Sequence, residues 1–264
     1  MSGSSPCASC TMRCCANYTV SIVGYDAWLI GTQLRLPLES FLIFFPVAAE
    51  NEKGFLLEPG GQRHEIALDK VGEFQKGNPC IFWVDLMNGR GRCGIYPVRP
   101  YVCQTYPAYQ QEETVLLRDD VLCPEGSWNL AGMDLPLFRK RLFRFRMEQD
   151  VYAYVVAAWN RQVERQGLRR AAGDYYAYLL AAYAGIEQAR RRLDDARLAE
   201  LAQLWGQRSA SAPNPLFVDL LPLPQEEPWA AVVAGMRTAI DAAARGEPAP
   251  EPAAAVEPQG AAFA

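Results

Sequence analysis

The segment Cys93-Gly-Ile-Tyr-Pro-Val-Arg-Pro-Tyr-Val-Cys103 is the most distinctive stretch of this chain. It holds two thiols ten positions apart, with Tyr96, Arg99 and Pro100 between them. Proline fixes its own φ and disfavours the helical region at the residue before it, so we expect an extended backbone at Arg99. The segment therefore predicts a rigid loop that holds Cys93 and Cys103 as a pair.

The other cysteines fall into groups on either side of this loop. All eight cysteines of the chain lie in its first 123 residues. A soft metal ion or an iron–sulfur cluster needs about four sulfur ligands, so grouped thiols favour such a centre over scattered core thiols. The eight fit two four-thiolate sites, or one such site together with unrelated thiols. The candidate metal ligands are Cys7, Cys10, Cys14, Cys15, Cys80, Cys93, Cys103 and Cys123.

The spacing within the first group is typical of a metal knuckle. Two residues separate Cys7 from Cys10, which lets a tight turn direct both sulfurs at one ion. Cys14 and Cys15 are adjacent, and adjacent residues rarely bind the same ion. Either one of them is a ligand and the other is not, or each serves a different centre.

Two further residues of the Cys93–Cys103 segment are candidates for contact with the centre. Thiolates around a divalent metal carry excess negative charge, which the guanidinium of Arg99 can offset while it donates to sulfur. The ring of Tyr96 can shield the site from water. With Pro100, which fixes the loop, these are the predicted cofactor-binding residues besides the cysteines.

Taken together, these motifs resemble the YkgJ-type cysteine-cluster family, a zinc- or iron-chelating domain, over about residues 7–123. Ile-Tyr and Arg-Pro between two cysteines, followed by Tyr106-Pro107, are the most specific part of the match. The resemblance implies zinc, iron or an iron–sulfur cluster as the cofactor. Two features depart from the family: three residues precede the pair Cys14-Cys15 where two are usual, and Gln104 stands where Arg is usual.

The resemblance leaves several functions open. The leading interpretation is a metal-binding protein whose centre can be purely structural. Flagellin lysine N-methylases look like relatives that carry the same cluster, which implies an enzyme acting on a protein substrate. A third alternative is a non-catalytic metal-delivery or redox-sensing protein, in which Cys14 and Cys15 exchange metal and the C-terminal tail recruits a protein partner.

Composition excludes other classes of function. The net charge of -4 argues against a nucleic-acid-binding surface. No apolar run is long enough for a membrane span, and the first residues lack the basic and apolar regions of a secretory signal. We therefore expect a bacterial-type cytoplasmic protein with reduced thiols rather than disulfides. His64 is the one histidine, so histidine-based catalysis has little support.

The predicted fold class is α+β. A small cysteine-rich metal-binding domain of short strands and helices spans residues 1–130. Its predicted elements are strands at 18–23, 81–86 and 114–117, a helix at 26–36 with Asp26 as its cap, a helical turn at 37–45, and a hairpin formed by 54–57 and 64–68 around Pro59-Gly60-Gly61.

The remainder of the chain is predicted to be helical and then proline-rich. A helical region spans residues 131–206, with helices from Pro136 onward, from Asp174 to about Tyr183, and over 186–205. Residues 207–264 form a Pro/Ala-rich extension that contains one helix at 229–244. Its tail, from about residue 245, is predicted to be disordered.

Overall fold

The computed structural model describes residues 13–48, 54–87, 91–111, 114–123, 127–211 and 229–247, and within them the fold is α+β, as predicted. The predicted disordered tail lies almost entirely outside these residues. Short antiparallel strands fill the first half of the chain and long helices fill the second. The elements are α1 (Arg13–Asn17), α2 (Gly24–Leu34), β1 (Leu42–Pro46), β2 (Phe55–Leu56), β3 (Arg63–Leu68), β4 (Trp83–Asp85), β5 (Gly91–Cys93), α3 (Tyr101–Thr105), β6 (Ala108–Gln111), β7 (Thr114–Leu117), α4 (Leu135–Gln166), α5 (Ala172–Arg190), α6 (Asp195–Ser211) and α7 (Trp229–Ala244).

The largest sheet has three antiparallel strands in the order β1-β3-β2. The predicted hairpin is confirmed, since β2 pairs with β3 and Phe55 lies opposite His64. The strand predicted at 18–23 is reduced to an isolated bridge between Ser21 and Ala67. Two backbone hydrogen bonds from this stretch still attach it to β3.

The helical turn predicted at 37–45 is wrong for most of its length. The structure has a 3-10 turn at Leu38–Ser40 and then strand β1, which pairs with β3 from Leu42 opposite Leu68 to Pro46 opposite His64. A short apolar run fits a buried strand as well as a buried helix, and here the available partner strand decides. The strand predicted at 81–86 shortens to β4, and the one at 114–117 is confirmed as β7, paired with β6.

Helix α2 begins two residues before the predicted start. Val23 occupies the N-cap, so Asp26 is not the capping residue that we predicted. Asp26 lies in the first turn, where its Oδ2 accepts a hydrogen bond of 3.4 Å from the backbone N–H of Val23. Its carboxyl is 2 % exposed, and burial raises the pKa of Asp26 to about 8.

The helical half agrees with the sequence in type and differs in the bounds of its second and third helices, since α5 spans Ala172–Arg190 and α6 spans Asp195–Ser211. Helix α4 begins after Asp134, whose side chain accepts from the N–H of Leu137, and ends at Gly167 in the left-handed region. Helix α5 continues to Arg190, so Ile186 belongs to α5 and not to the next helix as predicted. Helix α7, predicted at 229–244, is confirmed.

One apolar cluster joins the two halves of the chain. It contains Ile22, Ile66 and Cys80 from the first half as well as residues of α4, α5, α6 and α7. The rings of Phe55 and Tyr175 stack with their centroids 3.7 Å apart. The indole N–H of Trp159 donates to the carbonyl of Leu56 at 2.6 Å. The strands around β2 and the helices therefore pack in a shared interior.

A buried ion-pair network crosses the same boundary. Glu148 of α4 is fully buried and accepts hydrogen bonds from Arg144 at 2.7 Å and from Arg190 of α5 at 3.0 Å. Both guanidinium groups also face the ring of Tyr25 in α2, at 5.3 and 5.9 Å from its centroid. The pairing satisfies charges that would be costly if buried alone. Separately, none of the helices in the described ranges has both the length and the apolar composition that a membrane span requires.

A substitution at Gly24, the first residue of α2, tests how tightly α2 packs against α4 and α5. A methyl group there would overlap Cε2 of Tyr183 and lie 2.9 Å from Leu179 Cδ1. We expect Gly24→Ala to lower the free energy of unfolding by about 1–3 kcal/mol, because the core must shift to admit the extra carbon. Chemical denaturation measures the change.

Gly173 of α5 is the matched control. A methyl group added there meets no atom within 4 Å, so Gly173→Ala should keep or raise stability, by up to about 1 kcal/mol. Equal unfolding midpoints for the two variants would show that α2 is not packed as described.

Candidate metal centre

Backbone hydrogen bonds bring Cys80 beside the helix that carries Cys14 and Cys15. The N–H of Cys80 donates to the carbonyl of Cys15 at 3.0 Å, and the N–H of Gly77 donates to Ala16 at 3.0 Å. Helix α1 is only five residues long, so it depends on such contacts for its position. Two parts of the sequence separated by more than 60 residues are thereby fixed to each other.

Cys93 reaches the same region through the β4–β5 pair. It ends β5 and lies opposite Trp83, whose N–H donates to the carbonyl of Cys80 at 2.8 Å. Gly91, at the start of β5, has the indole ring of Trp83 against the place that a Cβ would take. Because the ring requires a glycine there, the position of β5, and with it Cys93, follows from close packing.

Cys103 lies in α3, which follows directly from the Arg-Pro dipeptide. Arg99 has φ of -61° and ψ of 148°, so the extended backbone predicted before Pro100 is confirmed. Pro100 is the N-cap of α3, and its carbonyl accepts from the N–H groups of Cys103 and Gln104, both at 2.9 Å. The Gln104 side chain, which replaces the family's usual Arg, donates to the Arg99 carbonyl at 2.7 Å.

The thiols of these segments influence one another electrostatically. Burial raises the pKa of Cys103 well above its ordinary value, and the charges of Cys80, Cys93 and Cys14 raise it further. Burial also raises the pKa of Cys80 to about 11. The Cys15 thiol donates a hydrogen bond to Cys14, which lowers the pKa of Cys14 to about 7 and raises that of Cys15. The charges of Cys14, Cys15, Cys80, Cys93 and Cys103 thus act on one another, and these five residues are together called the thiol cluster.

Two cations act on this thiol cluster. The charge of Arg99 helps to lower the pKa of Cys14, while its guanidinium lies 4.0 Å from the ring centroid of Tyr96. Tyr96 itself is 42 % exposed. Lys70 is buried, and its ammonium donates to the carbonyls of Ala16 at 2.6 Å and Asn78 at 3.2 Å. Its charge partly offsets the rise that burial causes in the pKa of Cys80.

The sequence motif predicts Arg99 as a charge partner of the thiols, but no sequence pattern predicts Lys70. Arg99 stands inside a recognisable motif, whereas Lys70 is a single lysine between unremarkable residues. Its role comes from an isolated bridge that pairs Lys70 with Cys80 and places the side chain against α1. Nothing in the local sequence signals that contact.

The remaining candidate residues are placed elsewhere or are not described. Cys123 Sγ accepts a hydrogen bond of 3.2 Å from the indole N–H of Trp128. His64 is half-buried in β3, and burial lowers its pKa. Cys7 and Cys10 lie outside the described residues. Within the described ranges Cys14, Cys15, Cys80 and Cys103 are free thiols, and no group of three or more His, Cys, Asp or Glu side chains is arranged to hold a metal ion.

The chemistry of the thiol cluster fits a soft cation. Thiolates placed close together repel each other, and buried ones are poorly solvated, which is why the pKa values of Cys80 and Cys103 are raised. A zinc or iron ion reverses this balance, because it binds the deprotonated form of each ligand. Thiolate is also the ligand that zinc and iron–sulfur clusters prefer in proteins.

Comparison with known families agrees with this chemistry. The model of the CxxCxxCC family, described as "Putative zinc- or iron-chelating domain", matches residues 6–124. This match confirms the resemblance inferred from the cysteine motifs, over a little less than half of the chain. Neither the curated proteins nor the solved structures gave a significant match.

Lys70→Met tests whether the buried ammonium holds the cysteine segments together. The change removes the donor to two carbonyls while it keeps much of the volume of the side chain. We expect the free energy of unfolding of the metal-free protein to fall by about 1–3 kcal/mol. Exposed Lys76, in the same loop, is the control: Lys76→Met should change it by less than about 0.5 kcal/mol. Equal losses in both variants would contradict the assignment.

Proposed function

We propose that this chain, which carries a zinc- or iron-chelating domain match over residues 6–124, binds zinc or an iron–sulfur cluster through its cysteines. The supporting observation is that backbone contacts join Cys80 to Cys15 and bring Cys93, opposite Trp83, next to Cys80, so that the charges of these thiols act on one another. The ligands are drawn from this cluster together with Cys7, Cys10 and Cys123. Arg99 and Lys70 supply positive charge beside it.

The bound ion would act first as a structural link. The elements that carry the cysteines, or that pair with one that does, are short: α1 and α3 have five residues each, and β4 and β5 have three. Such elements have little stability of their own. A metal that joins them contributes its binding free energy to folding, as in small zinc domains. We expect the protein to work in a reducing compartment such as the cytoplasm, where free thiols persist.

Anaerobic purification followed by elemental analysis and a visible spectrum tests the proposal. We expect zinc or iron to copurify with the protein, at about one metal ion per chain or more. Iron with sulfide and a brown colour indicates a cluster, and colourless protein with zinc indicates a tetrahedral thiolate site. Protein that neither retains nor takes up zinc or iron under reducing conditions would contradict the proposed function.

Cys80→Ser tests the thiol cluster itself. Loss of an outer contact to a metal ligand typically costs 10–100-fold in metal affinity, so loss of a ligand should cost more than about 100-fold. Val71→Ser is the control, because Val71 is exposed in the same loop and has no thiol. Competition with a chromogenic chelator measures both. Wild-type affinity in Cys80→Ser would remove Cys80 from the set of ligands.

The enzyme and delivery alternatives give different results in the same preparation. A lysine methylase of the kind that the resemblance implies should bind S-adenosylmethionine and gain thermal stability from it. A delivery protein should surrender its metal quickly to a mild chelator, whereas a structural centre should retain it. No response to S-adenosylmethionine together with slow release supports the structural role.

A further inference from the structure

Asp26 is a buried carboxyl group that contacts the segment carrying Cys103. Its Oδ1 accepts a hydrogen bond of 3.0 Å from the backbone N–H of Tyr101, which lies 75 positions away in the sequence. Tyr101 is the first residue of α3, and Cys103 is the third. Burying a carboxyl group costs free energy unless it is hydrogen-bonded, and this contact, together with the longer one from the N–H of Val23, offsets that cost.

Helix α3 needs an acceptor at its beginning. The first N–H groups of any helix lack partners within it, and five residues are too few for a stable isolated helix. The residue at the N-cap is Pro100, whose side chain offers no hydrogen-bond acceptor. The carboxyl of Asp26 fills this place from another helix.

The residue next to Asp26 strengthens the same contact. The ring of Tyr25 stacks on the ring of Tyr101, with centroids 5.8 Å apart and an angle of 27° between the planes. The first turn of α2 therefore holds both the backbone and the side chain of Tyr101. Because α2 is also packed on α5 through Gly24, it is a rigid base for α3.

We propose that Asp26 is a positioning residue of the metal centre, which holds the first turn of α3 so that Cys103 faces the thiol cluster. This inference rests on the proposed function where metal retention is concerned. The proposed role depends on the Oδ1 atom of Asp26, because this atom accepts the hydrogen bond from the N–H of Tyr101. Asp26 itself does not bind the metal in this arrangement.

Two substitutions of similar size separate the acceptor from simple packing. Asp26→Asn keeps an oxygen that accepts from Tyr101, whereas Asp26→Leu removes every acceptor. With the protein loaded with Zn²⁺, we expect Asp26→Leu to lose metal to a chromogenic chelator about 10–100-fold faster than wild type, the range for lost outer contacts. Asp26→Asn should release it at nearly the wild-type rate.

A second measurement needs no metal. Metal-free, reduced protein is alkylated with iodoacetamide, and the rate at each cysteine is read by peptide mapping. Asp26→Leu should speed alkylation of Cys103 and hydrogen exchange at the amide of Tyr101, while Cys123 keeps its wild-type rate. In Asp26→Asn all of these rates should stay near those of the wild type.

The outcomes distinguish this inference from the proposed function. If wild-type protein takes up no Zn²⁺, the proposed function fails, and the alkylation and exchange rates still decide the role of Asp26. Unchanged rates at Cys103 and Tyr101 in Asp26→Leu would overturn the inference. Equal acceleration at every cysteine would also overturn it, because Asp26 would then support the whole fold rather than the position of Cys103.

Discussion

The hydrogen bond from the N–H of Cys80 to the carbonyl of Cys15 is the contact on which the arrangement of the cysteines depends. It joins a five-residue helix, which is too short to be stable alone, to the loop that ends at Cys80. Lys70 supports the joint from the interior by donating to the carbonyls of Ala16 and Asn78. Convergence of the thiols is thus a property of the tertiary structure and not of any single motif.

Buried polar groups mark places where elements that are distant in the sequence meet. Lys70 lies against α1, Asp26 against α3, and Glu148 with Arg190 at the contact of α4 and α5. Each is costly to bury, and each is compensated by hydrogen bonds. Apolar residues at these places would pack well enough but would not fix the direction of a backbone N–H or carbonyl. The polar contacts therefore define geometry where packing alone would allow several arrangements.

Local signals in the sequence predicted much of the fold. The turn Pro59-Gly60-Gly61 predicted the hairpin, the apolar periodicity after Pro136 predicted α4, and Pro100 predicted the extended backbone at Arg99. Strand β1 was predicted as a helical turn, since its apolar run has no period that distinguishes the two and its pairing partner β3 lies some 20 residues away. The end of α5 was missed because Ile186 continues the apolar pattern of both helices.

The candidate site was predictable to a smaller extent. The grouping of the cysteines alone marks them as candidate metal ligands, and Pro100 favours an extended backbone at Arg99. Asp26 looked like a helix cap, since a lone Asp before an apolar run is typical of one, and its contact with Tyr101 needs the three-dimensional structure. Lys70 gave no signal at all. Residues that support ligands from a distance act through tertiary contacts, which a single sequence does not record.

The shared apolar interior has a practical consequence for anyone who dissects this protein. Cys80 belongs to the same cluster as Ile240 of α7, and Cys15 and Cys93 pack against that cluster. A fragment that ends at residue 124, where the family match ends, would lack the helices that bury the apolar side of the strands. Such a fragment would expose a large hydrophobic surface and would therefore be prone to aggregate. The boundary of a recognisable motif is in this case not a boundary at which the polypeptide is safely truncated.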